Sequence, residues 1–425
     1  MPLAVYILGL SIFAQGTSEL MLAGLLPELA ADLGVSVPRA GLLISAFAMG
    51  MLVGAPVLAV VTLRWPRRTA LLTFLAVFAL THVVGALTSD YATLFVTRVA
   101  GAFVYAGFWA VAAGTVIGLV PAEARGRAMS VLAGGLTVAT VLGLSLGTVI
   151  GQHLGWRAAF WAVAGMTLLA GAGVLATLPG RRAAHPAQEP AQEPAQQPDQ
   201  QPAAVPAEPG AAASRLAAEL RALGDPRLWL AYATTALTTG ALLASFSYLS
   251  ATLTATTGLA PAWVPAVLAL YGLGALVGIT AGGRTADARP FPTLFAGVTG
   301  LVVTSAALAL AASVPVLAVV LVLLLGAFGF GTNPALQTRA FALAGGAPTL
   351  AAAGNVAAFN VGITAGPWLG GLAIDAGLGY PSVSWIGAAI GVAALGAVAL
   401  SARLSRTPAA AVQERVGTGD IRSAL

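Results

Sequence analysis

The 425-residue sequence contains no lysine and no cysteine, and it has only three histidines. A Walker A loop needs a lysine to contact the β- and γ-phosphates of a nucleotide, so the sequence excludes direct ATP drive by this chain alone. The absence of cysteine excludes disulfide bonds, thiol nucleophiles and thiolate metal sites. Because His82, His153 and His185 lie in different segments, we expect no metal site and no cofactor.

Charged residues are also scarce, at 8% of the chain, whereas 58% are hydrophobic and the mean hydropathy is +0.89. Twelve apolar stretches account for this composition, each about 20 to 25 residues long, enough for a helix to cross ~30 Å of hydrocarbon. These stretches, named spans 1 to 12 in chain order, lie near 3–26, 40–63, 69–88, 92–119, 128–152, 157–178, 227–250, 262–283, 291–312, 315–340, 349–374 and 382–403. The sequence therefore predicts an all-α membrane protein with twelve transmembrane helices.

The twenty arginines predict the orientation of these helices. With the N-terminus inside, seventeen arginines fall in inner segments, and the outer side keeps only Arg39 and Arg157. Inner loops of membrane proteins are enriched in basic residues, so we expect both termini to be cytoplasmic. The pI of ≈ 10.1 reflects these loops and does not indicate a nucleic-acid partner.

A Pro/Gln-rich segment, PAQEPAQEPAQQPDQQP at 186–202, divides the chain into two halves. Frequent proline without an apolar face is typical of an extended tether. We expect an N-terminal six-helix bundle at 1–179 and a cytoplasmic linker at 180–226, with a short helix after Ser214. A C-terminal six-helix bundle at 227–404 and a cytoplasmic tail at 405–425 complete the predicted organisation.

The two halves contain similar glycine patterns. Span 5 and span 11 each place a glycine at every fourth position: Gly143, Gly147 and Gly151 in one, and Gly362, Gly366 and Gly370 in the other. Such a face lets helices pack backbone to backbone in lipid. Two parallel six-helix repeats are typical of an alternating-access transporter whose site lies between the halves.

Several longer segments identify a family. They are GTSELMLAGLLPELAADLGVS (16–36), RVAGAFVYAGFWAVA (98–112), GWRAAFW (155–161), GTNPALQTR (331–339) and GNVAAFNVGITAGPWLGG (354–371). They resemble the Major Facilitator Superfamily, specifically its twelve-span drug:proton antiporters, and among these the bacterial chloramphenicol-efflux group. The resemblance implies the major facilitator fold and proton-coupled export of small neutral amphipathic drugs. It also implies a multi-pass protein of the bacterial cell membrane that is not an enzyme and acts as a monomer, without an obligatory protein partner.

The resemblance further implies a conformational motif, carried here by Arg64, Arg67, Arg68, Gly143, Gly147, Gly283 and Asp287. Three positions depart from the family pattern. Ala59 stands where the inner loop after span 2 usually has glycine. Leu63 stands where the inner loop after span 2 usually has aspartate, so we expect a weaker charge contact in the first half. Ser145 stands where the span 5 motif usually has proline, so the sequence does not predict whether span 5 carries the kink that this proline would impose.

Glu19 and Arg98 are the two formal charges well inside predicted spans. Either would cost about 2.5 to 3.5 kcal/mol at a helix centre, so an unpaired lipid-facing position is unfavourable. At 1.5 Å per residue, Glu19 lies about 24 Å above the inner start of span 1, and Arg98 about 9 Å below the outer start of span 4. Both therefore lie at a similar depth. Because the resemblance implies that spans 1 and 4 face one cavity, the two charges can pair or sense each other.

Two interpretations of these charges stay open. In one, Glu19 carries the proton and Arg98 tunes its pKa, which agrees with the coupling acid that the resemblance places in span 1. In the other, the two charges form a fixed ion pair that only orders spans 1 and 4.

Polar and aromatic residues at helical spacing predict the drug path. The candidates are Tyr105 and Trp109 in span 4, Thr137 and Thr140 in span 5, Ser245 and Tyr248 in span 7, Tyr271 in span 8, and Asn333 and Gln337 in span 10. We expect Asn355 and Asn360 in span 11 to bond between helices, and His82 to have a structural role.

Two alternative functions are compatible with the same sequence. One is an exporter of sugars, nucleosides or purines with the same fold, which would need more hydrogen-bonding groups in the cavity. The other is a non-transporting membrane receptor that uses residues 180–213 as a docking tail. An enzyme is disfavoured because the sequence contains no catalytic constellation.

Overall fold

The computed structural model describes residues 1–62, 65–178, 224–343 and 348–406, which form helices and loops without a strand. Twelve helices in this part of the chain are long and apolar enough to cross a membrane. Spans 1 to 6 comprise Leu3–Leu33, Val37–Val61, Arg67–Leu87, Tyr91–Leu119, Arg125–Leu154 and Trp156–Thr177. Spans 7 to 12 comprise Pro226–Ala255, Pro261–Ala286, Pro290–Ala311, Pro315–Leu343, Pro348–Asp375 and Pro381–Arg406. The predicted linker helix after Ser214 and the tail beyond residue 406 lie outside the described residues.

The prediction that span 1 ends near residue 26 is wrong. Its helix continues through Pro27 to Leu33 and ends at Gly34, whose φ of 63° is the left-handed conformation of a helix C-cap. A proline inside a membrane helix is tolerated where neighbouring helices satisfy the backbone groups that it frees. Consequently Glu28 and Asp32 also lie on this helix, so Glu19 and Arg98 are not the only charges within the twelve spans.

The glycine faces of spans 5 and 11 lie where helices pack closely. A Cβ atom added to Gly147 would come within 2.8 Å of the Met21 Cβ in span 1. Gly366 faces the backbone of span 7 at Gly240 in the same way. The pairing of span 5 with span 1 is thus repeated by the pairing of span 11 with span 7, as expected for two related halves.

Span 5 is irregular despite the absence of the motif proline. A π-helical turn, Ala139–Gly143, joins the helices Arg125–Val138 and Leu144–Leu154. A π-turn is one of the few features that bend a helix. This irregularity ends at Gly143, before Ser145, and therefore needs no proline at position 145.

Contacts between the two halves cluster toward the end of the bundle opposite the chain termini. The Ser45 hydroxyl of span 2 donates to the Thr364 carbonyl of span 11 at 2.8 Å. The Gln152 amide at the end of span 5 donates to the Pro261 carbonyl at the start of span 8 at 2.9 Å. These bonds hold the halves together at this end of the molecule.

Candidate functional site

A cavity of about 270 Å³ lies between the two halves. It is enclosed by spans 1, 2, 4 and 5 on one side and by spans 7, 10 and 11 on the other. Six aromatic residues contribute to its wall: Phe47, Tyr105, Trp109, Phe246, Phe330 and Phe359. Aliphatic side chains form most of the remainder, and a smaller set of polar residues is distributed among them. An apolar wall with a few placed polar groups is typical of sites that bind small amphipathic molecules.

The structure separates the nine predicted substrate-contacting residues into two groups. Five line the cavity: Tyr105, Trp109, Thr140, Asn333 and Gln337. The other four lie outside its wall: Thr137, Ser245, Tyr248 and Tyr271. Helical spacing therefore located the cavity face of spans 4 and 10, but it did not locate that of span 7. Span 8, which the structure describes throughout, contributes no residue to the cavity wall.

The four residues outside the cavity have contacts of their own. Ser245 is within 3.2 Å of the Ser305 hydroxyl in span 9. Tyr248 donates to the Pro367 carbonyl in span 11 at 2.9 Å. The Tyr271 ring stacks on Phe246 with a centroid separation of 4.3 Å. Thr137 donates to the Ala133 carbonyl of its own helix at 3.4 Å. These side chains join helices or satisfy their own backbone, and Tyr271 packs against Phe246, which is part of the cavity wall.

Glu19 faces the cavity from span 1, and in the part of the chain that the structure describes no ion pair joins its carboxylate to Arg98. Arg98 is buried, with 2% of its surface exposed, and its hydrogen bonds go to the neighbouring residue Ser18. One guanidinium nitrogen donates to the Ser18 hydroxyl at 2.7 Å and the other to the Ser18 carbonyl at 3.0 Å. The guanidinium also lies over the Phe47 ring, 4.3 Å from its centroid. Arg98 is thus fixed beside Glu19 through contacts that do not depend on the Glu19 carboxylate.

His82 completes this arrangement from span 3. Its Nδ1 is 2.8 Å from the Phe78 carbonyl, and its Nε2 is 2.6 Å from the Ser18 hydroxyl. A carbonyl only accepts hydrogen bonds, so Nδ1 carries the proton and Nε2 of the neutral ring accepts from Ser18. Ser18 can then accept from Arg98 and donate to His82 at the same time. Sequence reasoning assigned His82 a structural role without identifying this link to Arg98.

Tyr105 and Trp109 form an aromatic corner of the cavity. The Trp109 indole nitrogen donates to the Tyr105 hydroxyl at 3.2 Å, one helical turn away. The Tyr105 ring packs near Phe47, with their centroids 6.0 Å apart. The two aromatic rings that the sequence singled out are therefore held in fixed positions within the N-terminal half.

The opposite half contributes three polar residues that sequence reasoning did not assign to the site, Thr238, Thr239 and Asn360. All three line the cavity and are buried, and Thr238 and Asn360 are almost fully so. Asn355, by contrast, bonds between helices as predicted, because its side-chain oxygen accepts from Thr235 at 2.9 Å. No sequence signal distinguishes Asn360 from Asn355, since both are single polar residues in the apolar run of span 11.

The inner-loop residues lie away from the cavity, at helix ends. Arg67 donates to the Gly114 carbonyl at 3.1 Å and Arg68 to the Leu175 carbonyl at 2.8 Å. Leu175 lies in the last turn of span 6, a position that basic side chains favour because carbonyls at helix C-termini lack partners within the helix. In the second half, Asp287 accepts from the Thr338 hydroxyl at 3.2 Å, while Gly283 is exposed. Arg64 and Leu63 lie outside the described residues.

Twelve spanning helices in two related halves around a central cavity define a polytopic membrane transporter. The chain belongs to the Major Facilitator Superfamily, whose family model matches residues 8–357. It is therefore a non-enzymatic transporter and a multi-pass protein of the cell membrane. The predicted family and the predicted twelve-helix fold are confirmed, whereas the orientation of the termini stays a prediction.

Three known proteins illustrate this relationship. A chloramphenicol resistance protein of Streptomyces lividans is 44% identical over 367 residues, which cover 86% of this chain and 88% of that protein. A probable sugar efflux transporter of Helicobacter pylori is 28% identical, covering 92% of this chain and 93% of that protein. An auto-inhibited peptide transporter of the POT family matches in structure with a TM-score of 0.68 at 15% identity, covering 96% of this chain and 97% of that one. This last similarity is one of fold.

Proposed function

We propose that this protein is a proton-coupled antiporter that exports small neutral amphipathic drugs, in particular chloramphenicol-type antibiotics. The observation that carries the proposal is the position of Glu19 in an aromatic and aliphatic cavity, next to a buried Arg98. The similarity to the chloramphenicol resistance protein supports the choice of cargo.

In this mechanism, Glu19 binds a proton from the outside and releases it to the inside as the two halves rock about the cavity. Arg98 stays fixed by Ser18, so the environment of the carboxyl group changes mainly when drug enters or leaves. Drug and proton then compete for the same protein. Exchange of one proton for one neutral drug is worth about 2.3 kcal/mol per ~100 mV. That free energy supports a roughly 50-fold concentration gradient.

The state of the molecule fits the loading step of an exporter. The halves are joined at the end opposite the termini by Ser45 and Gln152. If the termini are cytoplasmic, as the arginine distribution predicts, this closed end faces outside. We therefore propose that residues 1–179 and 227–404 act as the two rocking units and that drug enters the cavity from the cytoplasmic side. We further propose that one chain suffices for the cycle.

The cargo and its driving force are tested by the accumulation of labelled chloramphenicol in efflux-deficient cells. Cells that produce the protein should accumulate less drug than control cells, and a protonophore should abolish the difference. Unchanged accumulation with the protein present in the membrane would reject chloramphenicol as cargo. A difference that persists with the protonophore would reject proton coupling.

A second candidate is an exporter of sugars, which the similarity to the probable sugar efflux transporter favours. The aromatic corner of Tyr105 and Trp109 argues for a more apolar ligand. Competition by unlabelled sugars and nucleosides against chloramphenicol transport would separate the two candidates.

A further inference from the structure

Thr238 in span 7 and Asn360 in span 11 both line the cavity on the half opposite Glu19. They are 2% and 3% exposed. The Thr238 hydroxyl and the Asn360 side-chain carbonyl have no hydrogen-bond partner. Buried polar groups in proteins are nearly always hydrogen-bonded, so two such groups in one cavity wall require an explanation.

Thr238 differs from the two threonines about one turn earlier on the same helix. The Thr234 hydroxyl donates to the Leu230 carbonyl at 2.7 Å, and the Thr235 hydroxyl donates to the Ala231 carbonyl at 3.2 Å. Threonines in helices commonly satisfy themselves in this way, through the carbonyl four residues earlier. Because Thr238 does not, its hydroxyl remains free to donate and to accept.

The orientation of the Asn360 amide is fixed by its own helix. Its nitrogen donates to the Val356 carbonyl at 3.0 Å. Reversal of the amide would place the side-chain oxygen against that carbonyl, and two acceptors cannot bond to each other. The oxygen is therefore the unpaired atom, and Asn360 offers an acceptor while Thr238 offers a donor.

A nearby pair on the same two helices shows what a purely structural pairing looks like. Thr235 and Asn355 bond directly to each other at 2.9 Å and do not line the cavity. Thr238 and Asn360 lie further along the same helices, contact the cavity, and leave their groups unpaired. This contrast separates a site for a ligand from a bond between helices.

We propose that Thr238 and Asn360 form the substrate-recognition site of the C-terminal half, which binds a hydroxyl or secondary amide group of the cargo. Either group donates one hydrogen bond and accepts another, and therefore complements a cavity wall that carries a free hydroxyl and a free carbonyl. The cargo class is a neutral molecule that carries such a group on an apolar body, because aliphatic and aromatic residues such as Leu242 and Phe359 line the same cavity. This inference rests on the proposed export of drugs from this cavity.

The test measures binding of labelled chloramphenicol, which carries two hydroxyls and a secondary amide, to the purified full-length protein. Thr238→Val and Asn360→Leu remove the polar groups while keeping side-chain size. Each should weaken binding by about tenfold, the loss expected for one hydrogen bond in a buried site. The matched variant Thr235→Val should leave the dissociation constant unchanged, although it removes the bond to Asn355. A thermal unfolding midpoint for each variant confirms that it is folded.

The ligand is varied in the same experiment. A chloramphenicol derivative with both hydroxyls and the amide nitrogen methylated should bind the wild-type protein more weakly than chloramphenicol does. Thr238→Val and Asn360→Leu should weaken the binding of this derivative far less than they weaken the binding of chloramphenicol. Folded variants that bind chloramphenicol as tightly as the wild type would overturn the proposal.

Parallel titrations with uridine and glucose test whether the protein binds a nucleoside or a sugar instead of chloramphenicol. If one of these binds in place of chloramphenicol, the drug proposal fails and the variants are compared on that ligand. If none of the three binds, the recognition site is rejected as well.

Discussion

Ser18 connects Arg98 to His82 by accepting a hydrogen bond from the guanidinium at 2.7 Å and donating one to the imidazole at 2.6 Å. Through this serine, a residue of span 3 determines how a cation of span 4 is held beside the acid of span 1. The three side chains are nearly excluded from solvent, so each depends on the others for its hydrogen bonds. Polar networks of this kind define one arrangement because a partly satisfied network is costly.

Two substitutions at His82 test this connection. In His82→Gln, the side-chain oxygen lies close to the position of Nε2 and can still accept from Ser18. In His82→Asn, the shorter amide can donate to the Phe78 carbonyl but does not reach Ser18. We expect the glutamine variant to retain coupled transport and the asparagine variant to lose about five- to tenfold, the value of one buried hydrogen bond.

The readout for His82 is the number of protons moved per drug and the pH profile of transport, measured at matched protein levels. A purely structural histidine would change the amount of folded protein and leave the pH profile unaltered. Equal profiles for His82→Asn and the wild type would contradict a positioning role.

A second prediction concerns the helix packing of span 5. In Gly147→Ala the new Cβ would lie 2.8 Å from the Met21 Cβ, so spans 1 and 5 must separate. We expect a destabilisation of about 1 to 3 kcal/mol, as for other overpacked sites, measured by thermal unfolding in detergent. Gly134→Ala on the same span is the control, because a Cβ at that position meets no atom within 4 Å. A midpoint for Gly147→Ala equal to that of the control would show that the glycine face is not needed.

A third prediction uses Asp90, which caps span 4 from the loop after span 3. The Asp90 carboxylate accepts hydrogen bonds from the Thr93 backbone N–H and from the Thr93 hydroxyl. These bonds, and the backbone one most strongly, lower the pKa of Asp90 from its ordinary value of 3.8. A carboxyl with a lowered folded-state pKa stabilises the protein above its unfolded-state pKa, and this stability is lost as the pH falls through the folded-state value. Between about pH 5 and pH 2, the thermal unfolding midpoint of Asp90→Asn should therefore fall less than that of the wild type, because asparagine still caps the helix but cannot titrate. Parallel curves for both proteins would contradict this assignment.

Much of the fold could be predicted from the sequence because the length of each apolar run is set by the bilayer. Most span boundaries lie within a few residues of the observed helix ends. Pro27 misled the prediction for span 1, since a proline ends a helix in water more readily than it does in a membrane bundle. No sequence pattern predicted the π-turn at Ala139–Gly143, because the proline usually associated with a bend in span 5 is absent.

The site was less predictable because it depends on how helices are rotated against each other. Tyr105 and Trp109 share a helical face, and that face lines the cavity. Ser245 and Tyr248 are likewise a polar and an aromatic residue about one helical turn apart, yet the rotation of span 7 directs them toward spans 9 and 11. Asn360 looked equivalent to Asn355, and only the packing of span 11 against span 7 distinguishes them.

The central claim, that Glu19 carries the coupled proton, is tested most directly in proteoliposomes with an imposed pH gradient. The wild-type protein should move labelled chloramphenicol against its concentration gradient, and Glu19→Gln should lose this uphill transport while still binding the drug and equilibrating it across the membrane. Uphill transport at the wild-type level by Glu19→Gln would contradict the account.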